Sequence, residues 1–497
     1  MPVKGRFTGC DLGDTTPLFM PWTDDEGLPR PFFSCRAARI SLELAATAYD
    51  LEVDSWREAG WRDFSYLVDD SLFTGGAVNY HGGKGLGAAI SEYFQRLALS
   101  RIRRQNPISQ LRGALRQREG SDTCKALIML HPASGGRYLV AIGFMGTGKR
   151  IYDWFSNFRM SEKEGVHAGF LQLTQQFESH CNAISFPETA RELGKEKLTL
   201  SDILDECRRP GSRFRIWMAG HSQGGAVMQL AALRTIQNGF LRQNLIGYGF
   251  ASPSVIYENQ QCDLSGIPLF HILNSDDVTP RLGAALHAGK CCIYAVGEEM
   301  QEKCYASMAG DSAFFMMLSL LREMRDNPRA MLFMLGLLHA LEELPDGESM
   351  EVLTGVLGKM LPEKLLGALG GRFDQLLIRL SREMEKIYLR HTGEICIPSG
   401  QVDRMHSRVK EMIANFGPRT FVSAFLKALS LPHKLKGTEE TMGAYQFIVR
   451  EKGHELRQMI WCGNAMQHYS VFRDSKRRRQ TSGGRFARYT DAKNKRK

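Results

Sequence analysis

The chain has 497 residues, 43% hydrophobic and 24% charged, with 49 glycines and 18 prolines. That mix belongs to globular domains and excludes a disordered polymer, a collagen-like fibre and a small disulfide-stapled peptide. The net charge of +10 suggests a nucleic-acid binder until it is located: residues 473–497 hold eleven Lys/Arg against two Asp, so the tail carries +9 and the body is near neutral.

Length alone predicts about three structural units. The first residues, MPVKGRFTGCDLGDTTPLF, lack an apolar run after their basic positions, so no secretory signal is expected. Eleven scattered cysteines without a C-x-x-C pair predict a reducing, cytoplasmic compartment. Apolar residues at helical spacing predict a helix over 36–50, followed by a Trp-rich stretch at 56–66. Glycine-rich 71–90 is expected to be loop, and 86–104 helix. Over 125–146, two β-type runs meet at a Gly-Gly turn and predict a hairpin. A helix is expected within 166–183, then a polar stretch to 211. Next come a strand at 213–219, a helix at 224–237 and strands at 244–251 and 268–274. Strands alternating with helices predict an α/β fold with a mostly parallel sheet.

From 305 to 392 strand patterns disappear, and nine of the 22 methionines lie between Met308 and Met384. This predicts a late helical insertion punctuated by Pro328, Pro345 and Pro362. Its longest apolar runs, 312–321 and 330–342, reach about a dozen residues where a spanning helix needs about twenty, so no membrane span is expected. The expected division is a mainly helical 1–120, an α/β core over 121–304, the insertion over 305–420, a core-completing 421–472, and a basic disordered tail over 473–497.

Gly220-His221-Ser222-Gln223-Gly224 is a G-x-S-x-G lying between a short apolar strand and an Ala-rich helix. In that context a sharp turn projects the serine hydroxyl above the sheet, with the helix's positive end behind it. A serine needs a base, and in this architecture the chain order is serine, acid, histidine. The strand 268–274 runs into Asp276 and Asp277, which supplies an acid at a strand's carboxyl end.

At this point the sequence resembles the class 3 (fungal-type) lipases. Phe144-Met145-Gly146-Thr147 is similar to their F-R-G-[ST] loop, Asp153-Trp154-Phe155-Ser156-Asn157 to D-W-x-x-N, and Val166-His167-Ala168-Gly169-Phe170 to V-H-x-G-F. Residues 220–226 match the G-H-S-x-G-G-A elbow, Phe250-Ala251-Ser252-Pro253 resembles F-G-x-P, and 277–282 resembles D-x-V-P-x-L with Thr279 in place of Val. Met145, Ala251 and the long segment after the acid depart from the family's pattern.

The resemblance implies an α/β-hydrolase with a mostly parallel central sheet, an N-terminal helical region and the late insertion. It implies Ser222 as nucleophile and Asp277, with Asp276 its rival, as the acid. Oxyanion donors would come from Thr147 and from the backbone N–H of Gln223. Seven histidines follow the acid: His287, His339, His391, His406, His433, His454 and His468. His468, late and followed by an aromatic residue, is the expected base, with His454 second; His167 and His221 are expected to be structural. The implied activity is lipase-like hydrolysis of acylglycerol or phospholipid esters through an acyl-serine, without a cofactor or metal. The alternative is a non-catalytic lipid- or protein-binding member. The Met/Leu-rich block would cover the acyl trench or form an ordinary helical core. The tail would touch an anionic membrane surface or stay solvated, and nucleic acid is disfavoured as a partner.

Overall fold

The structure, a computed structural model, describes residues 2–19, 33–68, 71–75, 124–146, 162–257, 264, 266–281, 286–325, 408, 411–412, 415–416, 420, 424–425, 427–438, 440–459 and 461. Outside the described residues lie the expected helix 86–104, Thr147, the 153–157 motif, His339, His391, His406, His468, most of the late insertion and the tail.

Among the described residues, eight strands form one sheet. In chain order they are β1 (Arg62–Val68), β2 (Ser71–Gly75), β3 (Ala126–Ala133) and β4 (Arg137–Phe144), then, after a small separate hairpin of β5 (Glu162–Lys163) and β6 (Val166–His167), β7 (Phe214–His221), β8 (Leu245–Phe250), β9 (Leu269–Asn274) and β10 (Lys290–Tyr294). Their spatial order is β10-β9-β8-β7-β4-β3-β1-β2. β4 and β7 to β10 are parallel neighbours, whereas β3 pairs antiparallel with β4 and β1, and β1 with β2. The sheet is therefore mixed, with a parallel half and an antiparallel edge.

Both faces are covered, which is why the central strands read as apolar runs rather than alternating patterns. Along β7 every residue is buried. Trp217 and Ala219 face one core and Ile216 and Met218 the other, as a period of two requires. The helix Cys35–Asp50 packs on the first face, where its Ser41 hydroxyl accepts the Trp217 indole N–H at 2.8 Å. The helices Ala168–His180 and Gln223–Gln237 cover the second. Helices Ser312–Arg325 and Ala444–Glu451 bring Phe314, Leu318, Phe447 and Ile448 into the first core, so the C-terminal part of the chain returns to the sheet.

Two stretches differ from the sequence reading. Residues 71–75, expected as loop, are β2, and the Trp-rich stretch runs into β1; together they extend the antiparallel edge. The last parallel strand, β10, has no counterpart in the expected elements. Five residues with paired cysteines and a single isoleucine give too short a pattern to stand out.

Candidate active site

Parallel neighbours end at the same edge of a sheet, so the carboxyl ends of β7, β8 and β9 lie side by side. Ligand sites of open α/β sheets form there. Ser222 follows β7 directly, at φ 58° and ψ −130°, a backbone that L-residues avoid. Its N–H donates to the Phe250 carbonyl at 2.9 Å, which pins the turn to the end of β8. The helix Gln223–Gln237 starts at the next residue and passes so close to β4 that a Cβ on Gly224 would lie 2.2 Å from the Phe144 carbonyl oxygen. Only glycine fits. The loop leaving β4 also crowds the serine: a Cβ on Gly146 would stand 3.1 Å from the Ser222 Cβ. Thr147 follows this glycine but lies outside the described residues.

Asp277 lies three residues past β9 and is fully buried. One carboxylate oxygen accepts the Thr279 N–H at 2.9 Å. The other accepts His433 Nδ1–H at 3.1 Å and the Tyr445 hydroxyl at 2.8 Å. Burial alone pushes this carboxyl upward, but the His433 ring and the three donors outweigh it and hold it below the usual carboxylate value. Asp277 is thus built to stay charged. Asp276, the rival acid, accepts Nε and Nη2 of Arg322 at 2.8 and 2.7 Å.

His433 was one of seven candidates in the sequence, and among the described residues it is the histidine that reaches the acid. Among the others, His287 donates from Nε2 to the Ser252 carbonyl at 2.8 Å, and burial lowers it to about 4. His454 is exposed on the helix Gly453–Gln458. His468, the expected base, lies outside the described residues. The sequence held one modest signal for His433: Pro432 precedes it, and proline punctuates helices, so the ring falls at a helix end rather than within one.

The loop carrying His433 is fixed by the strand ends. Asn274 Nδ2 donates to the Pro432 carbonyl at 2.9 Å, while the Asn274 N–H donates to the Tyr445 hydroxyl at 3.0 Å. His221 Nε2–H donates to the His433 carbonyl at 2.9 Å, and the two rings lie 4.6 Å apart. The other nitrogen of His221 accepts the Tyr49 hydroxyl at 2.8 Å, and that same hydroxyl accepts the Gly146 N–H. These bonds require neutral His221 protonated on Nε2, in keeping with burial lowering it to about 3. His167, buried and stacked on Phe170, accepts the Phe170 N–H at 3.4 Å and so caps the helix Ala168–His180. The hydrogen bonds to Asp277 come from Thr279, His433 and Tyr445 rather than from these two histidines.

Among the described residues, no group of three or more His, Cys, Asp or Glu side chains is arranged to hold a metal ion. No described helix is long and apolar enough to cross a membrane.

Residues 141–286 match the family described as lipase (class 3). Comparison with curated proteins finds no match. Among solved structures, a Rhizomucor miehei triacylglyceride lipase is 24% identical over 34% of this chain and 61% of its own, with a TM-score of 0.25. The Rhizomucor miehei lipase propeptide complex is 21% identical over 35% of this chain and 53% of its own, also at 0.25. A lipase from Rhizopus microsporus var. chinensis is 20% identical over 34% and 56%, again at 0.25. This chain therefore spans between about half and three fifths of those fungal chains. The matched segment contains both the elbow and the acid turn, so over residues 141–286 the chain is similar to the class 3 lipases.

Proposed function

We propose that the protein is a serine carboxylester hydrolase acting on lipid esters, with Ser222 as nucleophile, His433 as base and Asp277 as the orienting acid. The observation that carries this reading is the buried Asp277 holding His433 Nδ1–H at 3.1 Å, beside the strand end that presents Ser222. With Nδ1 protonated and bonded to the acid, the lone pair sits on Nε2. Nε2 takes the Ser222 proton as the oxygen attacks the ester carbonyl. The resulting oxyanion is received by the Gln223 N–H at the helix start and by Thr147. The imidazolium then protonates the departing alcohol, and water repeats the sequence to release the acid from acyl-Ser222. We place His433, rather than His468, in the base's role because His433 occupies the acid.

The substrate proposed is an acylglycerol or phospholipid, from the family's chemistry. The test is labelling with a fluorophosphonate, with the modified peptide located by mass, alongside turnover of p-nitrophenyl butyrate. Wild-type protein is expected to label at Ser222. Ser222→Ala and His433→Ala are expected to lose at least about a thousandfold in kcat/KM, and His468→Ala to retain it. Loss in His468→Ala with retention in His433→Ala would return the base to His468. A folded wild type that neither labels nor turns over ester is a binding member of the family instead.

A further inference from the structure

The hydrolase reading uses the strand ends and the late loop but not the helix Cys35–Asp50, whose carboxyl end runs into the site. Its approach is set at β4. A Cβ on Gly143 would stand 3.0 Å from Leu44 Cδ1 and 3.1 Å from the Leu44 carbonyl oxygen, so this glycine lets the helix lie directly on the strand. Tyr49 follows Leu44 by five residues on the helix, and Gly146 follows Gly143 by three, where the strand has given way to its loop. The two meet. A Cβ on Gly146 would fall 2.2 Å from the Tyr49 hydroxyl oxygen, 2.4 Å from the His221 carbonyl oxygen and 3.1 Å from the Ser222 Cβ. Gly146 is therefore held among the tyrosine, the elbow backbone and the serine side chain.

The Tyr49 hydroxyl has two partners of opposite kind. It accepts the Gly146 N–H and donates to His221 Nδ1 at 2.8 Å. The direction of the second bond is fixed from the far side of the imidazole, because His221 Nε2–H donates to the His433 carbonyl at 2.9 Å and a neutral ring has one N–H to give. His221 Nδ1 is thus an acceptor, and the lone pairs of the hydroxyl are left for the glycine. Burial pushes the Tyr49 phenol above its usual value and lowers His221 to about 3, so both are neutral at neutral pH and the chain of bonds keeps one polarity. The next residue of the helix, Asp50, accepts Lys436 Nζ at 3.0 Å, three residues past His433. The end of this helix therefore reaches both the loop leaving β4 and the segment that carries the imidazole.

We propose that Tyr49 is a positioning residue of the active site: its hydroxyl, oriented by His221, holds the loop leaving β4 at Gly146 against the Ser222 side chain. The proposal rests on the hydrolase reading given above, in which Ser222 attacks and the residue after Gly146 helps to receive the oxyanion. Tyr49 acts through Gly146 and not on the ester. With the hydroxyl gone, the Gly146 N–H loses its acceptor and the loop loses the group that sets its distance from the elbow. A misplacement of about one ångström there costs rate rather than binding.

The experiment uses the full chain. Turnover of p-nitrophenyl butyrate is referred to the concentration of serine that a fluorophosphonate labels at completion, so that only folded, reactive protein is counted. Tyr49→Phe is expected to lower kcat by about ten- to a hundredfold, with KM within about twofold of wild type. His221→Gln keeps a side-chain N–H for the His433 carbonyl and removes the ring nitrogen that orients the hydroxyl; it is expected to lower kcat in the same way, again with KM kept. The double variant should lie no more than about twofold below the weaker single, because both changes break one chain of bonds. A role in stability alone gives a lower thermal midpoint with kcat per labelled serine unchanged. That result in Tyr49→Phe, a raised KM with kcat kept, or losses that multiply in the double, overturns the proposal and leaves the hydrolase reading intact. Should Tyr49→Phe fail to fold, kcat and KM of His221→Gln decide. A wild type that neither labels nor turns over ester overturns both.

Discussion

At the scale of single residues, the proposed nucleophile is held where its backbone is uncomfortable. Ser222 at φ 58° and ψ −130° bears strain of about 1–3 kcal/mol, carried by the surrounding bonds to Phe250 and the packed glycines. Glycine has no Cβ to clash there. Ser222→Gly is therefore expected to be more stable than Ser222→Ala by about 1 kcal/mol, both being inactive. Urea unfolding of the two variants measures this, and an alanine variant equal to or better than the glycine one would show that the turn is unstrained. The positions of Ser222, Gln223 and Asp277 after strand ends were legible in the sequence, because each sits at a fixed offset from an apolar run. The sequence could not tell which of seven histidines meets the acid, because that partner belongs to no such local pattern. His433 meets Asp277 across 156 positions, through contacts that only the folded core creates. Tyr49 and Tyr445 were invisible for the same reason: nothing near them in the chain says that one hydroxyl lies against His221 and the other against Asp277.

At the scale of elements, the strands were readable where both faces are buried. The hairpin expected over 125–146 appears as β3 and β4, and the runs at 213–219, 244–251 and 268–274 appear as β7, β8 and β9, each within a residue or two. β1 and β2 were harder, since aromatic and charged residues there obscure the period of two and β2 runs straight into glycines. The contact of greatest consequence between elements is the crossing of the Gln223–Gln237 helix over β4, where Gly224 lies against the Phe144 carbonyl. Gly224→Ala places a methyl group 2.2 Å from that oxygen, and neither the strand nor the helix start can give way. A loss of about 2–4 kcal/mol is expected, with labelling of Ser222 falling in step because the turn is displaced. Chemical denaturation together with fluorophosphonate labelling checks it; a variant as stable and as reactive as wild type would mean the crossing is looser than described.

At the scale of the whole molecule, four histidines among the described residues are buried without a hydrogen bond to the acid. Burial lowers His221 and His271 to about 3, and His167 and His287 to about 4. Each has a folded value below the 6.5 of the unfolded chain, so the native state holds fewer protons than the unfolded one in between. Their contribution to stability is complete above about pH 6.5 and is lost as pH falls from there toward 4 and then 3. The expected outcome is a steep fall in thermal midpoint below about pH 6, with unfolding taking up more protons there than at pH 7.5. A midpoint flat down to pH 4.5 would mean that these rings are solvated or already charged. One arrangement has a consequence in time as well as in space. The elbow serine and the carboxylate are residues 222 and 277, whereas the imidazole and the tyrosine that steadies the carboxylate are contributed by residues 433 and 445. A ribosome making this protein thus releases a hydroxyl and an acid long before it supplies the group that couples them. On the proposed assignment the nascent enzyme stays chemically silent until the segment around residues 433–445 emerges and docks, and an ester-cleaving activity is never loose on a chain that lacks it.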